Sequence, residues 1–317
     1  MNPAPTAPDV LAIFGPTGVG KTAVAIALAR RLRARGDDPV AVSADALQVY
    51  AGLPILTGAP TAAEQRALEH RLVGTVPLTE RFSAGAYAAR AHHEIDALRA
   101  AGRRPIVVGG TGLYLRAALA ELDLRPPPDP ARRAHWRAAV DSAGPHHVHA
   151  QLAARDPEAA AVIDPHDRQR LVRAHELLDA GEQPPSGPEL WTTQTRHPTR
   201  LFGLVMDRQA LQTTIDARVD AMVRAGAAQE VEAAARQGAS ATARKALGFD
   251  ELLRGDVEAM KRRTRRYAKR QLTWMRKLPA VHLIDITDRT PDDVAAELHG
   301  MIRACDSRSG KRSGTTT

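Results

Sequence analysis

The sequence predicts an α/β fold, a parallel sheet flanked by helices and carrying a helical insertion, and three observations lead there. The apolar run Val10-Leu11-Ala12-Ile13-Phe14 leads through Gly15-Pro16-Thr17-Gly18-Val19-Gly20-Lys21-Thr22 into Ala23-Val24-Ala25-Ile26-Ala27-Leu28, which reads as strand, loop and helix. Two further runs, Pro39-Val40-Ala41-Val42-Ser43 and Pro105-Ile106-Val107-Val108, end in polar or glycine-rich loops. In an open parallel sheet such strand ends line one ligand crevice. From Arg125 the chain turns to helical patterns punctuated by prolines, until Leu201-Phe202-Gly203-Leu204-Val205-Met206 returns to the sheet.

Taken in order, residues 1–8 are rich in Pro and Ala and are expected to form a disordered tail. The core is expected over 9–124 and 201–300. Its second strand presents Asp45, and its third ends in Gly109-Gly110-Thr111-Gly112, after which Leu113 to Leu122 reads as helix. The break Arg125-Pro126-Pro127-Pro128-Asp129-Pro130 opens an insertion assigned to 125–200. A helix is expected from about Arg208 to Gly226, with Ile215, Val219, Met222 and Val223 on its apolar face. Lys261 to Lys277 lacks Pro and Gly and reads as one helix, with Ala268, Leu272 and Met275 as the buried stripe and cations around the rest. Residues 306–317, rich in Ser, Gly and Thr, are expected to be a second tail.

The segment from Gly15 to Thr22 is a complete G-x-x-x-x-G-K-S/T phosphate loop in its proper context, which makes the core P-loop NTPase-like. Successive backbone N–H groups of such a loop converge, and the helix N-terminus adds positive potential. A diphosphate or triphosphate is the expected guest. Lys21 would reach its outer oxygens, and the Thr22 hydroxyl would sit on a Mg²⁺ ion shared with them. Asp45 and Thr111, each following a strand, could share one site with the phosphate loop.

Composition narrows the class. The 317 residues suffice for about two domains, and the single Cys305 excludes an internal disulfide framework. No long apolar span or signal segment is visible, so a soluble, cytoplasmic chain is expected, without a membrane partner and read as a monomer. The formal net charge of +8 favours polyanions, and the 261–277 helix could follow a phosphate backbone. Tyr267 and Trp274 on it could stack on bases, but read first as packed aromatics. His92-His93 and His146-His147-His149 lack ligand partners at metal spacing and read as solvated histidines.

Together the motifs resemble the tRNA dimethylallyltransferase, or tRNA isopentenyl transferase, family. The matching segments are the phosphate loop, Ser43-Ala44-Asp45-Ala46-Leu47-Gln48-Val49-Tyr50, Phe82-Ser83-Ala84-Gly85, Gly109-Gly110-Thr111-Gly112-Leu113-Tyr114-Leu115 and Asp167-Arg168-Gln169-Arg170-Leu171-Val172-Arg173. They continue through Ile215-Asp216-Ala217-Arg218-Val219-Asp220, Leu247-Gly248-Phe249 and Tyr267-Ala268-Lys269-Arg270-Gln271-Leu272-Thr273-Trp274, and span roughly residues 9 to 289. The resemblance implies transfer of a dimethylallyl group from dimethylallyl diphosphate to N6 of the adenosine 3′ of a tRNA anticodon. It implies Asp45, Lys21 and Thr17 as catalytic residues, with Gly15 to Thr22 and Arg218 on the diphosphate. Asp45, Ala46, Leu47, Gln48 and Thr111 would face the adenine, and Gln169, Arg170, Arg173, Arg265, Lys269 and Arg270 would hold the anticodon stem-loop.

The chain departs from the family pattern at Ala46, in Leu53-Pro54-Ile55-Leu56-Thr57-Gly58-Ala59-Pro60, at Thr214 and in Asp164-Pro165-His166-Asp167. Other readings of the residues stay open: Asp45 as a helix cap, Arg218 paired with Asp216 or Asp220, and Thr111 closing a turn. A small-molecule kinase, a free-nucleotide isopentenyltransferase and a non-catalytic RNA-binding protein are the competing functions.

Overall fold

The computed structural model describes residues 9–122, 124–125, 129–184 and 192–312. Six strands form one all-parallel sheet: β1 (Val10–Phe14), β2 (Pro39–Ser43), β3 (His70–Arg71), β4 (Arg104–Gly109), β5 (Thr199–Val205) and β6 (Val281–Asp285). Their order is β3-β2-β4-β1-β5-β6. Every residue of β1 and β2 is buried, the apolar continuity expected of strands covered on both faces. Phe14 pairs with Gly109, and Ser43 with Val108, so β1, β2 and β4 end at one level. That register brings the phosphate loop, the Asp45 turn and the Gly109-Gly110 loop to the same edge of the sheet.

Helix α1 (Lys21–Arg33) shares a core with the last helix, α14 (Pro291–Arg312). Val24, Leu28 and Leu32 of α1 meet Val294, Leu298 and Ile302 of α14 together with Leu11, Ile13, Ile106 and Phe202 of the sheet. Between β2 and β4 lie the short helices α2 (Pro54–Thr57) and α3 (Ala62–Ala67), and α4 (Ala84–Ala100), which packs with α5 (Gly112–Leu119). Helix α5 stops at Leu119 rather than Leu122, because Ala120 turns to extended backbone.

The chain divides into two compact units, residues 1–121 with 191–317, and residues 122–190. The second begins earlier than the expected 125–200 and also ends earlier, the end because Arg196 binds Asp96 and Glu121, and His197 binds Asp96, all within the first unit. The C-terminal tail also differs from expectation: α14 carries helical backbone through Arg312. Residues 1–8 and 313–317 lie outside the described residues. No helix among the described residues is long and apolar enough to cross a membrane.

The second unit contains α6 (Pro130–Ala143), α7 (Pro145–Arg155), α8 (Pro157–Val162) and α9 (Arg168–Leu178). Val140, Val148, Leu152, Ile163 and Leu171 form its core. Inside it, Trp136 stacks on His175 at 3.8 Å between ring centroids and donates its indole N–H to Asp179. The His175 ring also bonds the Val148 carbonyl through Nε2 and lies 3.0 Å from Arg155 through Nδ1. With an arginine on one side and a carbonyl on the other, the neutral Nε2–H tautomer satisfies both partners. His149 is not a solvated side chain either: its Nε2 meets the Ala160 and Ile163 carbonyls at 3.0 and 3.1 Å. His92 keeps a buried Nε2 in the first unit. No group of three or more His, Cys, Asp or Glu among the described residues is placed to hold a metal.

Burial holds the pKa of His175 below the ordinary imidazole value. The proton therefore binds less well in the folded than in the unfolded state, so the stability this histidine confers is present above about pH 6.5 and is lost as pH falls through its lower folded value. Hydrogen exchange in α6, α7 and α9 should report that loss between pH 7 and 5, at no more than about 1.4 kcal/mol per pH unit. A His175→Gln variant should flatten the dependence even where it lowers stability at neutral pH.

Candidate active site

The phosphate loop connects β1 to α1 by backbone that L side chains resist: Gly18 and Gly20 have φ of 85° and 88°. Gly15, Pro16 and Val19 turn inward and are buried, while Thr17, Gly18, Lys21 and Thr22 are half-buried. The first helical bond of α1 runs from the Val24 N–H to the Gly20 carbonyl. The N–H groups of Lys21, Thr22 and Ala23 therefore precede the ladder and are left for an anion. Thr17 is different, because its N–H donates to Gln271 Oε1 at 2.8 Å. The Gly15 N–H donates to the Gly109 carbonyl and the Val19 N–H to the Pro16 carbonyl, both at 3.4 Å, so the expectation that successive loop amides all converge on a ligand is corrected at Gly15, Thr17 and Val19.

Gln271 belongs to α13 (Val257–Lys277), the basic helix. Its buried side-chain amide also donates to the Gly110 carbonyl at 2.7 Å, so one side chain ties the phosphate loop to the loop after β4. The buried stripe of α13 is Met260, Thr264, Ala268, Gln271 and Met275. Leu272, expected on that stripe, is only half-buried. A glutamine at helical spacing on an otherwise buried row was the available signal for this residue.

Lys21 Nζ donates to the Gly15 and Pro16 carbonyls at 3.0 and 2.8 Å. Desolvation lowers its pKa to about 8, with Arg218 acting in the same direction and Asp45 opposing. Arg218 comes from α10 (Arg208–Arg224). The surface pairs that could have held it are formed by others: Asp216 binds Arg265 at 2.6 Å and Asp220 binds Lys261 at 2.8 Å. Two residues along a helix lie about 200° apart around its axis, so Arg218 faces away from those carboxylates and lines the cavity instead. On the same helix Leu211, Ile215 and Val219 are buried, whereas Met222 and Val223 are half-buried.

Asp45 Oδ1 accepts the N–H groups of Leu47 and Gln48 at 2.9 and 3.3 Å. This is a local Asx-type turn, and Oδ2 takes part in neither bond. Gln48 is held by its own protein: its Oε1 accepts Ser43 Oγ, and its Nε2 donates to the Thr57 and Gly58 carbonyls. Thr111 Oγ1 accepts the Ala46 N–H at 3.4 Å and meets the Tyr267 hydroxyl at 3.3 Å. Burial foremost, then Asp45, pushes the Tyr267 phenol up to about 12, which keeps it protonated.

These groups surround a cavity of about 760 Å³ within the first unit. Of the residues read from sequence, Thr17, Gly18, Gly20, Lys21, Thr22, Asp45, Leu47, Gln48 and Arg218 line it. Gly15, Pro16, Val19, Ala46 and Thr111 are not in its wall. Tyr267, Gln271, Thr57 and Met222 are in the wall without having been assigned there. Lys269 and Arg270 are exposed on α13, where Arg270 lies over the Tyr267 ring. Arg265 is committed to Asp216. In the second unit, Gln169 and Arg170 are exposed on α9, with Arg170 near Asp167, while half-buried Arg173 pairs with buried Glu176. A phosphate-binding loop, two cations and a carboxylate thus share one cavity, an arrangement suited to displacing a diphosphate from carbon or phosphorus while a proton is removed from the acceptor.

Residues 48–278 match the family model described as IPP transferase. The chain is 40% identical to a tRNA dimethylallyltransferase of Thermobifida fusca (strain YX) over 299 residues, 88% of this chain and 92% of that protein. Among solved structures it resembles a full-length tRNA isopentenylpyrophosphate transferase from Bacillus halodurans, with a TM-score of 0.70 and 32% identity, covering 97% of this chain and 99% of that one. It also resembles a eukaryotic dimethylallyltransferase acting on tRNA, with a TM-score of 0.73 and 26% identity, over 95% and 80% of the two chains.

The lowered pKa of Lys21 has a measurable sign. Only the ammonium form attracts phosphate oxygens, so affinity for an alkyl diphosphate whose own ionisation is complete should be flat below pH 8 and fall above it. The limiting slope is about tenfold per pH unit. Calorimetric titration from pH 7 to 9.5 should show that fall in the native protein, and a lower, nearly flat affinity in Lys21→Ala.

Proposed function

The chain belongs to the IPP transferase family, and we propose that its cavity transfers a dimethylallyl group from dimethylallyl diphosphate to N6 of the adenosine 3′ of a tRNA anticodon, releasing diphosphate. The observation that carries this reading is the placement of Asp45 in the same cavity as the phosphate loop and Arg218. It is a prenyl transferase, with tRNA as its substrate class.

Adenine N6 is a poor nucleophile because its lone pair is delocalised into the ring, so transfer needs both alignment and removal of a proton. Asp45 supplies the acceptor. Its Oδ1 is held by two backbone N–H groups, which fixes the carboxylate and leaves Oδ2 for the adenine. As the allylic C–O bond breaks, negative charge grows on the departing diphosphate. Lys21, Arg218 and the free N–H groups at the start of α1 stabilise that charge more strongly than they stabilise the ground state. Thr22 lines the cavity at the start of α1, and its hydroxyl, a hard oxygen donor of the kind that suits Mg²⁺, would hold the ion. When bound, it would neutralise part of the leaving-group charge. An adenine stacked inside an RNA loop cannot enter such a cavity, so the acceptor nucleotide must leave the stack.

For the RNA, Lys269 and Arg270 on α13 and Gln169 and Arg170 on α9 are the exposed groups assigned to the stem-loop. Arg265 and Arg173 act first as ion-pair partners within the protein. Replacing Lys269 and Arg270 by Ala together should weaken stem-loop binding and lower the slope of log K against log salt by about 1 to 2, one contact per lost cation. Affinity for dimethylallyl diphosphate should not change.

The test of the reaction itself is a single-turnover assay offering an anticodon stem-loop or AMP. The purified protein should prenylate the stem-loop and neglect AMP, and Asp45→Asn should slow transfer about 10²–10⁴-fold while diphosphate still binds. Prenylation of AMP at a comparable rate, phosphoryl transfer from ATP in place of prenyl transfer, or a fully active Asp45→Asn enzyme would overturn the assignment.

A further inference from the structure

One acidic side chain near the cavity has no role in the chemistry described above. Glu230 lies on α11 (Ala227–Arg236), and among the described residues its carboxylate meets no cation. It accepts two backbone N–H groups instead: Ile55 at 2.9 Å through Oε1, and Leu56 at 2.7 Å through Oε2. Both belong to α2, a helix of four residues. Helix nucleation is costly and so short a piece cannot sustain itself, so its placement depends on what grips it from outside.

The other end of α2 is gripped from the active site. Gln48 Nε2 donates to the Thr57 and Gly58 carbonyls at 3.4 and 3.1 Å, and the Gln48 N–H is one of the two that hold Asp45 Oδ1. Gly58, which closes α2 at a φ of 57°, leaves room for the Arg218 guanidinium, with which a Cβ at that position would collide. Helix α2 and its closing glycine therefore touch the turn that fixes the proton acceptor and the cation on the diphosphate side. Even a half-buried carboxylate without a counter-ion carries a desolvation cost, and that partial burial raises the Glu230 pKa. Two charge-assisted bonds to otherwise orphaned N–H groups offset that cost.

Resting on the prenyl-transfer reading, we propose that Glu230 is a positioning residue of the reaction: bonded to Ile55 and Leu56, it braces α2 and thereby holds Asp45 and Arg218 in working register. It touches no reacting atom. Its loss lets α2 shift, and displacements of the order of 1 Å at reacting groups cost up to about 10²-fold in rate.

The test compares Glu230→Ala, Glu230→Gln and Glu232→Ala, the last an exposed acid on the same helix, with wild type on an anticodon stem-loop. Rates are expressed per folded active site. Glu230→Ala should lower kcat about 10- to 100-fold and raise KM for dimethylallyl diphosphate at least about threefold, through Arg218, with KM for the stem-loop unchanged. Glu230→Gln, which keeps one acceptor oxygen, should lie between Glu230→Ala and wild type, and Glu232→Ala should match wild type. If Glu230→Ala does not fold, Glu230→Gln decides. Wild-type kcat and KM in the deciding variant, or a loss that tracks only the folded fraction, would overturn the proposal. A wild-type protein without prenyl transfer would overturn the underlying reading, and this inference with it, before any variant is compared.

Discussion

The site depends on one buried amide. Gln271 accepts the Thr17 N–H and donates to the Gly110 carbonyl, joining loops that follow two neighbouring strands to a helix far along the chain. Each bond by itself contributes modestly, but a buried peptide group left without its partner costs about 1–3 kcal/mol. Removing the amide would strand the buried Gly110 carbonyl and release the half-buried Thr17 N–H. Gly110 allows the contact because a Cβ there would collide with the glutamine nitrogen. The phosphate loop is thus held at its Thr17 end by a side chain and at its Lys21 end by the start of a helix, and the amides between them keep their geometry.

Charge around the cavity is sorted by the same packing. On α10 the two aspartates face α13 and take Arg265 and Lys261 as partners. Arg218, half a turn away, is left to the cavity. Lys21 enters the same space at a desolvation cost visible in its lowered pKa, which an incoming diphosphate would relieve. The site therefore holds positive charge that is unfavourable until the anion arrives, and the energy released on binding is available to align the substrate.

The strands of the core and the phosphate loop were legible because each combines an apolar run with a glycine-rich or polar end, a pattern with few alternatives. The edge strand β6 was not: exposed His282, Leu283 and Asp285 interrupt its apolar character, and its place beside β5 is a long-range pairing. The stripe on α13 was assigned by hydrophobicity to Leu272, while the buried row contains Gln271 and Thr264. Periodicity says which positions share a face, but a polar residue enters the core only when a partner awaits it; Thr264 finds one four residues back in the Met260 carbonyl, whereas those of Gln271 lie 161 and 254 residues away. His149, read as solvated, failed in the same way, since it meets the Ala160 and Ile163 carbonyls, which no local pattern reveals.

By itself the sequence determined the class of fold, the anion-binding loop, the acidic strand end beside it and, through motif resemblance, the family. Those properties reside in contiguous residues whose backbone preferences and spacing are local. Tertiary structure alone decided which charges are spent on neighbours and which face the cavity, separating Arg218 from Arg265. It also decided which polar side chains hold the loops, making Gln271 and Glu230 structural partners of segments remote in sequence. The reason is that hydrogen bonding and ion pairing depend on distance and burial, and both are set by how the helices pack on the sheet.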